Sequence, residues 1–225
     1  MYIPIAHRAA LPERMRPVHP TPRKRRGTMM RFDRQRGPRE LATWLEGLVP
    51  SLTERWTEEI RRRGHVGERR LTPVLERFTE LLVRLLPLMV GPHRALVAPF
   101  WIRTSELYGA IAAKRGLAAG EAIEELHLLR ELVIRDLYRS PPAGGTVRLS
   151  LREILRMNRA LDLAVTHGSV GHTDSLFFEF FEGDQTTALL RGGDVAAEAE
   201  QQLRQIEAEL RENLQHRVEF GEASR

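Results

Sequence analysis

The chain has 225 residues, of which 42% are apolar, enough to form the core of one domain with appendages. It contains no cysteine, which excludes disulfides, thiolate catalysis and zinc–thiolate sites. The apolar runs fall short of the roughly 20 residues that a transmembrane helix needs, and the N-terminus lacks the apolar stretch of a secretory signal. We therefore expect a cytoplasmic protein without a membrane span.

The positive charge is concentrated at the N-terminus. Residues 1–39 hold 11 basic and two acidic side chains, a net charge of +9, whereas the rest of the chain holds 24 basic and 28 acidic side chains, a net charge of −4. Residues 1–37 are rich in proline and show no apolar periodicity, so we predict a disordered basic tail.

The run Arg23, Lys24, Arg25 and Arg26 in this tail leaves three interpretations open. The tail is a solvated segment, an arm that neutralises nucleic-acid phosphates, or a segment attracted to anionic lipid. The salt dependence of DNA affinity, with and without the tail, would distinguish them.

From residue 38 to residue 182 the apolar residues recur at helical spacing, and no stretch alternates as a strand does. We therefore predict an all-α domain over residues 38–182. Its predicted helices span residues 38–49, 51–63, 73–87, 93–116 and 121–138, followed by the long helix described next. Pro50 is expected to end the first helix, Ser51 and Glu54 to cap the second, Thr72 to cap the third, and Pro99 to kink the fourth.

The longest helical pattern runs from residue 149 to residue 182, with Ser150 and Glu153 as a capping box. A helix of this length reaches roughly 50 Å, so we expect it either to bend at its glycines or to project into a partner. One of its faces carries small side chains that permit close backbone approach, within the domain or in a dimer. These residues are Ala164, Gly168, Gly171 and Ser175.

The end of this helix predicts a dimer interface. Phe177, Phe178, Phe180 and Phe181 spread around the helix, so that one intramolecular surface cannot easily cover all four. Exposed aromatic surface of this size marks an interface. The alternative is that residues 183–193, which we interpret as a linker, cover them.

Asp194 is predicted to cap a last helix over residues 194–217, followed by a tail over 218–225. Its apolar residues fit a and d positions of a heptad pattern, which indicates a parallel coiled-coil homodimer through Leu203, Ile206 and Leu210. The pattern also includes Ala196, Ala199 and Asn213. The alternative is an amphipathic helix docked on the domain.

The best candidate for a ligand pocket combines Trp101, Arg103 and Tyr108, near Pro99, with His127, as a polar spot in an apolar surround. The alternative is that Arg103 forms a salt bridge with a buried glutamate. The sequence shows no phosphate loop, dinucleotide-binding glycine pattern or nucleophile elbow, so we predict no catalytic activity and no cofactor.

The histidines do not form a metal-binding pattern. His167 and His172 are five residues apart and do not share a helical face. We therefore predict no metal site.

The span 38–182 resembles the RsbRD N-terminal domain family, the sensor half of RsbT co-antagonist proteins. The resemblance lies in Trp44-Leu45, in GEAIEELHLLRELVIRDLY over residues 120–138 and in EILRMNRALDLAVTHGSV over residues 153–170. It implies a globin-like helical bundle without haem that dimerises and biases an output module, such as a stressosome co-antagonist domain, a histidine kinase or a transcription regulator.

Together these observations predict a sensory or regulatory signal-transduction module that forms a homodimer and controls a partner protein. Because a short helix is all that follows the domain here, we expect the output to come from that partner; the alternative is that the chain is a truncated multidomain relative. The proposed signal is a change in helix packing passed from residues 149–182 into residues 195–217. The alternative functions are a nucleic-acid-associated regulator that uses the basic arm and a remnant of a histidine kinase.

Overall fold

The computed structural model describes residues 38–63, 71–139, 151–180 and 194–222. All regular structure in these ranges is helical, which confirms the all-α prediction. The helices are α1 (Pro38–Arg63), α2 (Thr72–Val90), α3 (Arg94–Lys114), α4 (Ala119–Arg139), α5 (Leu151–Phe180) and α6 (Val195–Glu222). Within the described ranges, no helix combines the length and apolar character needed to cross a membrane.

Helix α1 runs without interruption through Pro50, so the prediction of two helices separated there is wrong. Proline removes one backbone hydrogen bond, but the helix buries one continuous apolar stripe on both sides of it. The stripe consists of Leu41, Leu45, Leu52, Trp56 and Ile60, each no more than 1% exposed. Ser51 is therefore an interior residue, and its Oγ donates a hydrogen bond to the Leu48 carbonyl oxygen (3.2 Å).

Helix α2 also extends past its interior proline. Thr72 is its first helical residue and Leu71 its N-cap, so the helix begins one position earlier than predicted and the prediction that Thr72 is the cap is wrong. Pro87 does not end the helix, which continues to Val90, where the Gly91 N–H donates to the Pro87 carbonyl oxygen (3.0 Å).

Helix α3 lies at the centre of the bundle, where it packs against α2, α4, α5 and α6. Its burial explains this position, since Val97, Trp101, Tyr108, Ala110 and Ile111 are all fully buried. Helix α1 packs against α2 and α4, and α5 forms its most extensive contact with α3.

The C-terminal helix α6 returns to the domain and packs against α2 and α3. Asp194 caps it as predicted, since the Asp194 carboxylate accepts a hydrogen bond from the Ala197 N–H (3.1 Å). The helix continues to Glu222, beyond the predicted end at residue 217. The predicted tail 1–37, Ser150 and the predicted linker 183–193 lie outside the described residues.

Candidate functional site

The four residues of the predicted ligand pocket do not come together. Trp101 and Tyr108 are fully buried, whereas Arg103 and His127 are exposed. Trp101 and Arg103 are two residues apart on one helix, which rotates them about 200° from each other. The Trp101 indole N–H donates to the Ala160 carbonyl oxygen (3.0 Å), which fastens α3 to α5.

Tyr108 belongs to a buried polar cluster that the sequence analysis missed. The Tyr108 hydroxyl donates to a carboxylate oxygen of Glu125. Arg115 binds the same carboxylate with both terminal nitrogens, at 2.8 and 2.9 Å. The backbone carbonyl of Glu125 accepts the Trp56 indole N–H (2.8 Å). The cluster thus joins α1, α3 and α4 in the core.

The electrostatics of this cluster indicate structural pairing. Burial, and then the negative charge of Glu125, raise the pKa of the Tyr108 hydroxyl well above its ordinary value of 10.0. Burial lowers the pKa of Arg115, but the hydrogen bonds and charge of Glu125 outweigh it and raise that pKa overall. Tyr108 therefore stays a neutral donor and Arg115 a cation, which together satisfy the buried carboxylate.

A signal for this cluster exists in the sequence. Glu125, Leu129, Leu132 and Asp136 recur at intervals of four, three and four, and therefore lie on one helical face. All four are buried. The Asp136 carboxylate binds Arg55 of α1, with one Arg55 nitrogen 3.0 Å from Oδ1. An acidic residue at each end of an apolar stripe predicts that hydrogen-bonding or basic partners from other helices meet this face.

The small-residue face of α5 packs inside the domain, which is one of the two arrangements expected from the sequence. A Cβ atom added to Gly109 of α3 would lie 2.6 Å from the His172 backbone nitrogen, and one added to Gly171 would lie 2.6 Å from the Glu106 carbonyl carbon. A Cβ atom on Gly168 would lie 2.9 Å from the Leu126 side chain. Helices α3 and α5 therefore meet backbone to backbone, and this face is not available to a second chain.

Helix α6 buries its apolar stripe within the chain. Its buried residues among those described are Ala199, Leu203, Ile206 and Leu210, each at most 7% exposed. This burial fits the alternative interpretation, an amphipathic helix docked on the domain, because α6 packs against α2 and α3. The coiled-coil homodimer through Leu203, Ile206 and Leu210 stays a prediction. Asn213 is exposed and donates to the Glu209 carbonyl oxygen (2.8 Å), so it does not set a coiled-coil register.

Arginines of α2 and α3 bind glutamates of α6 beside this stripe. Arg77 lies 2.7 Å and Arg84 lies 3.9 Å from the Glu207 carboxylate, and Arg103 binds the Glu209 carboxylate. Hydrogen bonds, first from Arg103 and then from Gln205, lower the pKa of Glu209. The cations of these pairs are all on the domain and the anions all on α6. We call this arginine-edged surface of α2 and α3 the α6-docking face.

The described end of α5 exposes apolar side chains. Phe177 is 55% exposed, and Leu176 and Val170 are also exposed. Phe181 lies outside the described residues, as do the side chains of Phe178 and Phe180, so the predicted aromatic cluster is represented by Phe177.

An open groove of about 640 Å³ lies between α1 and α2. Thr53, Thr57, Arg61, Glu76 and Arg77 contribute to its lining. The two arginines already bind carboxylates, since Arg61 pairs with Glu76 and Arg77 pairs with Glu207 of α6. The groove lining therefore combines two paired arginines with three glutamates and shows no arrangement typical of acid–base catalysis.

Two histidines of α5 bind protein groups. His167 Nδ1 lies 2.8 Å from the Glu106 carboxylate, and the buried His172 donates from Nε2 to the Leu117 carbonyl oxygen (2.8 Å). Within the described ranges, no group of three or more histidine, aspartate or glutamate residues is arranged to hold a metal ion.

Comparisons of the chain with family models, with curated proteins and with solved structures find no match.

Proposed function

We propose that this chain is a non-catalytic sensory or regulatory module that dimerises and controls a partner signalling protein, of the stressosome or histidine-kinase type that the RsbRD resemblance implies. The observation that carries the proposal is the docking of α6, which is held by a narrow apolar stripe and a set of arginine–glutamate pairs on one side of the domain. The alternative assignment as an enzyme has less support, because the buried carboxylate of Glu125 is saturated by Tyr108 and Arg115.

The mechanism that these contacts favour differs from the one expected from the sequence. Helix α6 packs back onto α2 and α3, so a signal reaching it need not pass along α5. A stimulus that binds more tightly to the domain when α6 is undocked would shift the population towards that state. The freed helix and the face it leaves would both change what a partner protein encounters.

The exposed apolar residues of α5 support an interaction role as well. Val170 and Phe177 are seven residues apart, and therefore on one face of the helix, and they are 42% and 55% exposed. Such side chains in contiguous surfaces are typical of interfaces between proteins.

Native mass spectrometry of the purified full chain tests the proposal, because one spectrum gives the subunit number and any retained small molecule. A dimer without added mass supports a protein-interaction module, and a dimer with added mass supports a ligand-responsive one. A chain that stays monomeric at micromolar concentration would contradict a dimeric regulator.

A second candidate function is that of a nucleic-acid-associated regulator that binds through Arg23, Lys24, Arg25 and Arg26. It is favoured by the net charge of +9 on residues 1–39. Phosphate contacts by the arm predict DNA affinity that falls steeply with salt and is lost when residues 1–28 are deleted. Weak affinity that the deletion leaves unchanged would refute this function.

A further inference from the structure

The α6-docking face has the composition of a receptor for an acidic amphipathic helix. Its apolar floor accepts Leu203, Ile206 and Leu210, and its edge provides cations from two different helices, Arg77 from α2 and Arg103 from α3. Recognition of an apolar stripe in a groove, with charge complementarity at the edges, is a recurrent way of binding a helix.

The contacts that hold α6 do not depend on which chain supplies it. The buried residues and the ion pairs are formed by α6 on one side and by α2 and α3 on the other. The thirteen residues 181–193 connect α5 to α6 in the sequence. A segment of this length spans no more than roughly 45 Å. Exchange of an identical element between two copies keeps every such contact and needs no new surface.

We infer that the α6-docking face is a dimerisation site, and that a second copy of this chain occupies it by exchanging α6. The inference rests on the proposed function, since it names the surface through which the proposed dimer forms. The second copy is the occupant because its α6 carries both required features, the apolar stripe and the two glutamates, Glu207 and Glu209, at the matching positions.

Two full-length variants with opposite charge changes test the exchange. The helix variant carries Glu207→Arg and Glu209→Arg, and the face variant carries Arg77→Glu, Arg84→Glu and Arg103→Glu. Each variant alone has like charges across the α6 contact, whether α6 docks on its own chain or on another. In a heterodimer with exchanged helices, both contacts again join opposite charges.

These substitutions are compatible with folding, because the five side chains are 20–52% exposed. Circular dichroism of each variant would verify retained helix content. The matched control is the pair of single variants Glu131→Arg and Arg135→Glu, which reverse the two charges of an exposed ion pair within α4. The control variants are expected to dimerise like the unmodified chain, with no preference for the mixed species.

Native mass spectrometry of the equimolar mixture gives the result. The inference expects heterodimer in at least tenfold excess over either homodimer, at a concentration where each variant alone is monomeric. A mixture without heterodimer excess overturns the inference. If each variant alone dimerises as well as the unmodified chain, the dimer uses another surface, which overturns the exchange and leaves the proposed dimeric function standing. An unmodified chain that is monomeric, together with no heterodimer, overturns both.

Discussion

The contact of α3 with α5 and the contact of α6 with α2 and α3 rest on opposite chemistry. Where α3 meets α5, Gly109 and Gly171 bring the backbones so close that a single methyl group would overlap the neighbouring helix. Where α6 docks, branched apolar side chains and long charged ones fill the space between the helices. The first contact depends on the absence of side chains at two glycines. The second depends on an apolar stripe and on pairs of opposite charge.

The two contacts therefore differ in what they permit. A backbone-to-backbone contact holds only if both helices are in place, so its loss amounts to loss of the fold. A contact made by one apolar stripe, with four buried residues among those whose side chains are described, can open while the rest of the domain persists. The exchange of α6 that we propose would therefore open the second contact and leave the α3–α5 contact in place.

The largest effect is expected at Gly109. Gly109→Ala should reduce the free energy of unfolding by more than about 4 kcal/mol, because the added methyl group meets the backbone of α5 and no flexible side chain can yield. Urea denaturation followed by circular dichroism measures the loss.

Gly47→Ala is the matched control, since Gly47 lies inside α1 with nothing within 4 Å of an added Cβ atom. It should stabilise the chain by about 0.5–1 kcal/mol through helix propensity. Equal stability of the Gly109→Ala variant and the unmodified chain would disprove the close approach of α3 and α5.

The next effect is expected on α6. Leu203 is fully buried, so Leu203→Ala leaves a cavity and should reduce the free energy of α6 docking by about 2–3 kcal/mol. The reduction cannot exceed the free energy that α6 docking provides. Native-state hydrogen exchange should show α6 amides exchanging roughly 30-fold faster or more, with α3 amides little changed. The half-buried Leu214→Ala should produce a smaller change. A uniform change across all helices would show that α6 does not open by itself.

A smaller effect is expected in the buried cluster. Tyr108→Phe removes a hydrogen-bond donor to the Glu125 carboxylate while Arg115 remains. We therefore expect the free energy of unfolding to fall by about 2 kcal/mol near pH 8. Because the folded-state pKa of Tyr108 is raised above 10.0, its contribution is complete below pH 10 and is lost as the pH rises towards the folded-state pKa.

The two proteins should therefore converge in stability above pH 10, as measured by denaturation between pH 8 and pH 11. A difference that stays constant over this range would contradict the raised pKa.

The smallest effect is expected at Glu209, since exposed ion pairs contribute about 0–1 kcal/mol. Glu209→Gln should weaken α6 docking slightly at low salt and not at all at high salt. The pKa of Glu209 is lowered from 4.5, so its contribution is present above pH 4.5 and is lost as the pH falls through the lower folded-state value.

The control for this substitution is Glu212→Gln, because Glu212 lies on α6 next to His216 and is 71% exposed. It should leave α6 exchange unchanged at every salt concentration. An equal response of the two variants would show that Arg103 contributes no specific pairing.

The sequence predicted which segments are helical better than it predicted where the helices end and which helices pack together. The stripes Leu52, Trp56 and Ile60 of α1 and Leu75, Phe78 and Leu82 of α2 are buried as expected, because helical period and burial are both local properties. Pro50 and Pro87 do not end their helices, because low helix propensity is overridden when apolar residues on both sides of a proline share one core.

The candidate site was harder to predict because its parts are distant in the chain. Trp56 and Glu125 are 69 residues apart, and the pairing of Glu125 with Arg115 depends on how α3 and α4 meet. The heptad-like pattern of α6 likewise fits both a coiled coil and a docked helix, since both bury one apolar stripe.

The order of α2, α3 and α6 along the chain has a consequence for synthesis. The docking face is complete once Lys114 has been added, and Leu210 follows 96 residues later. At 5–20 residues per second, translation leaves this face without its own helix for roughly 5 to 20 seconds. Neighbouring ribosomes on one messenger RNA carry chains at different stages, so a finished α6 from the chain ahead can reach the open face of the chain behind. Dimers would then be assembled from the products of a single transcript.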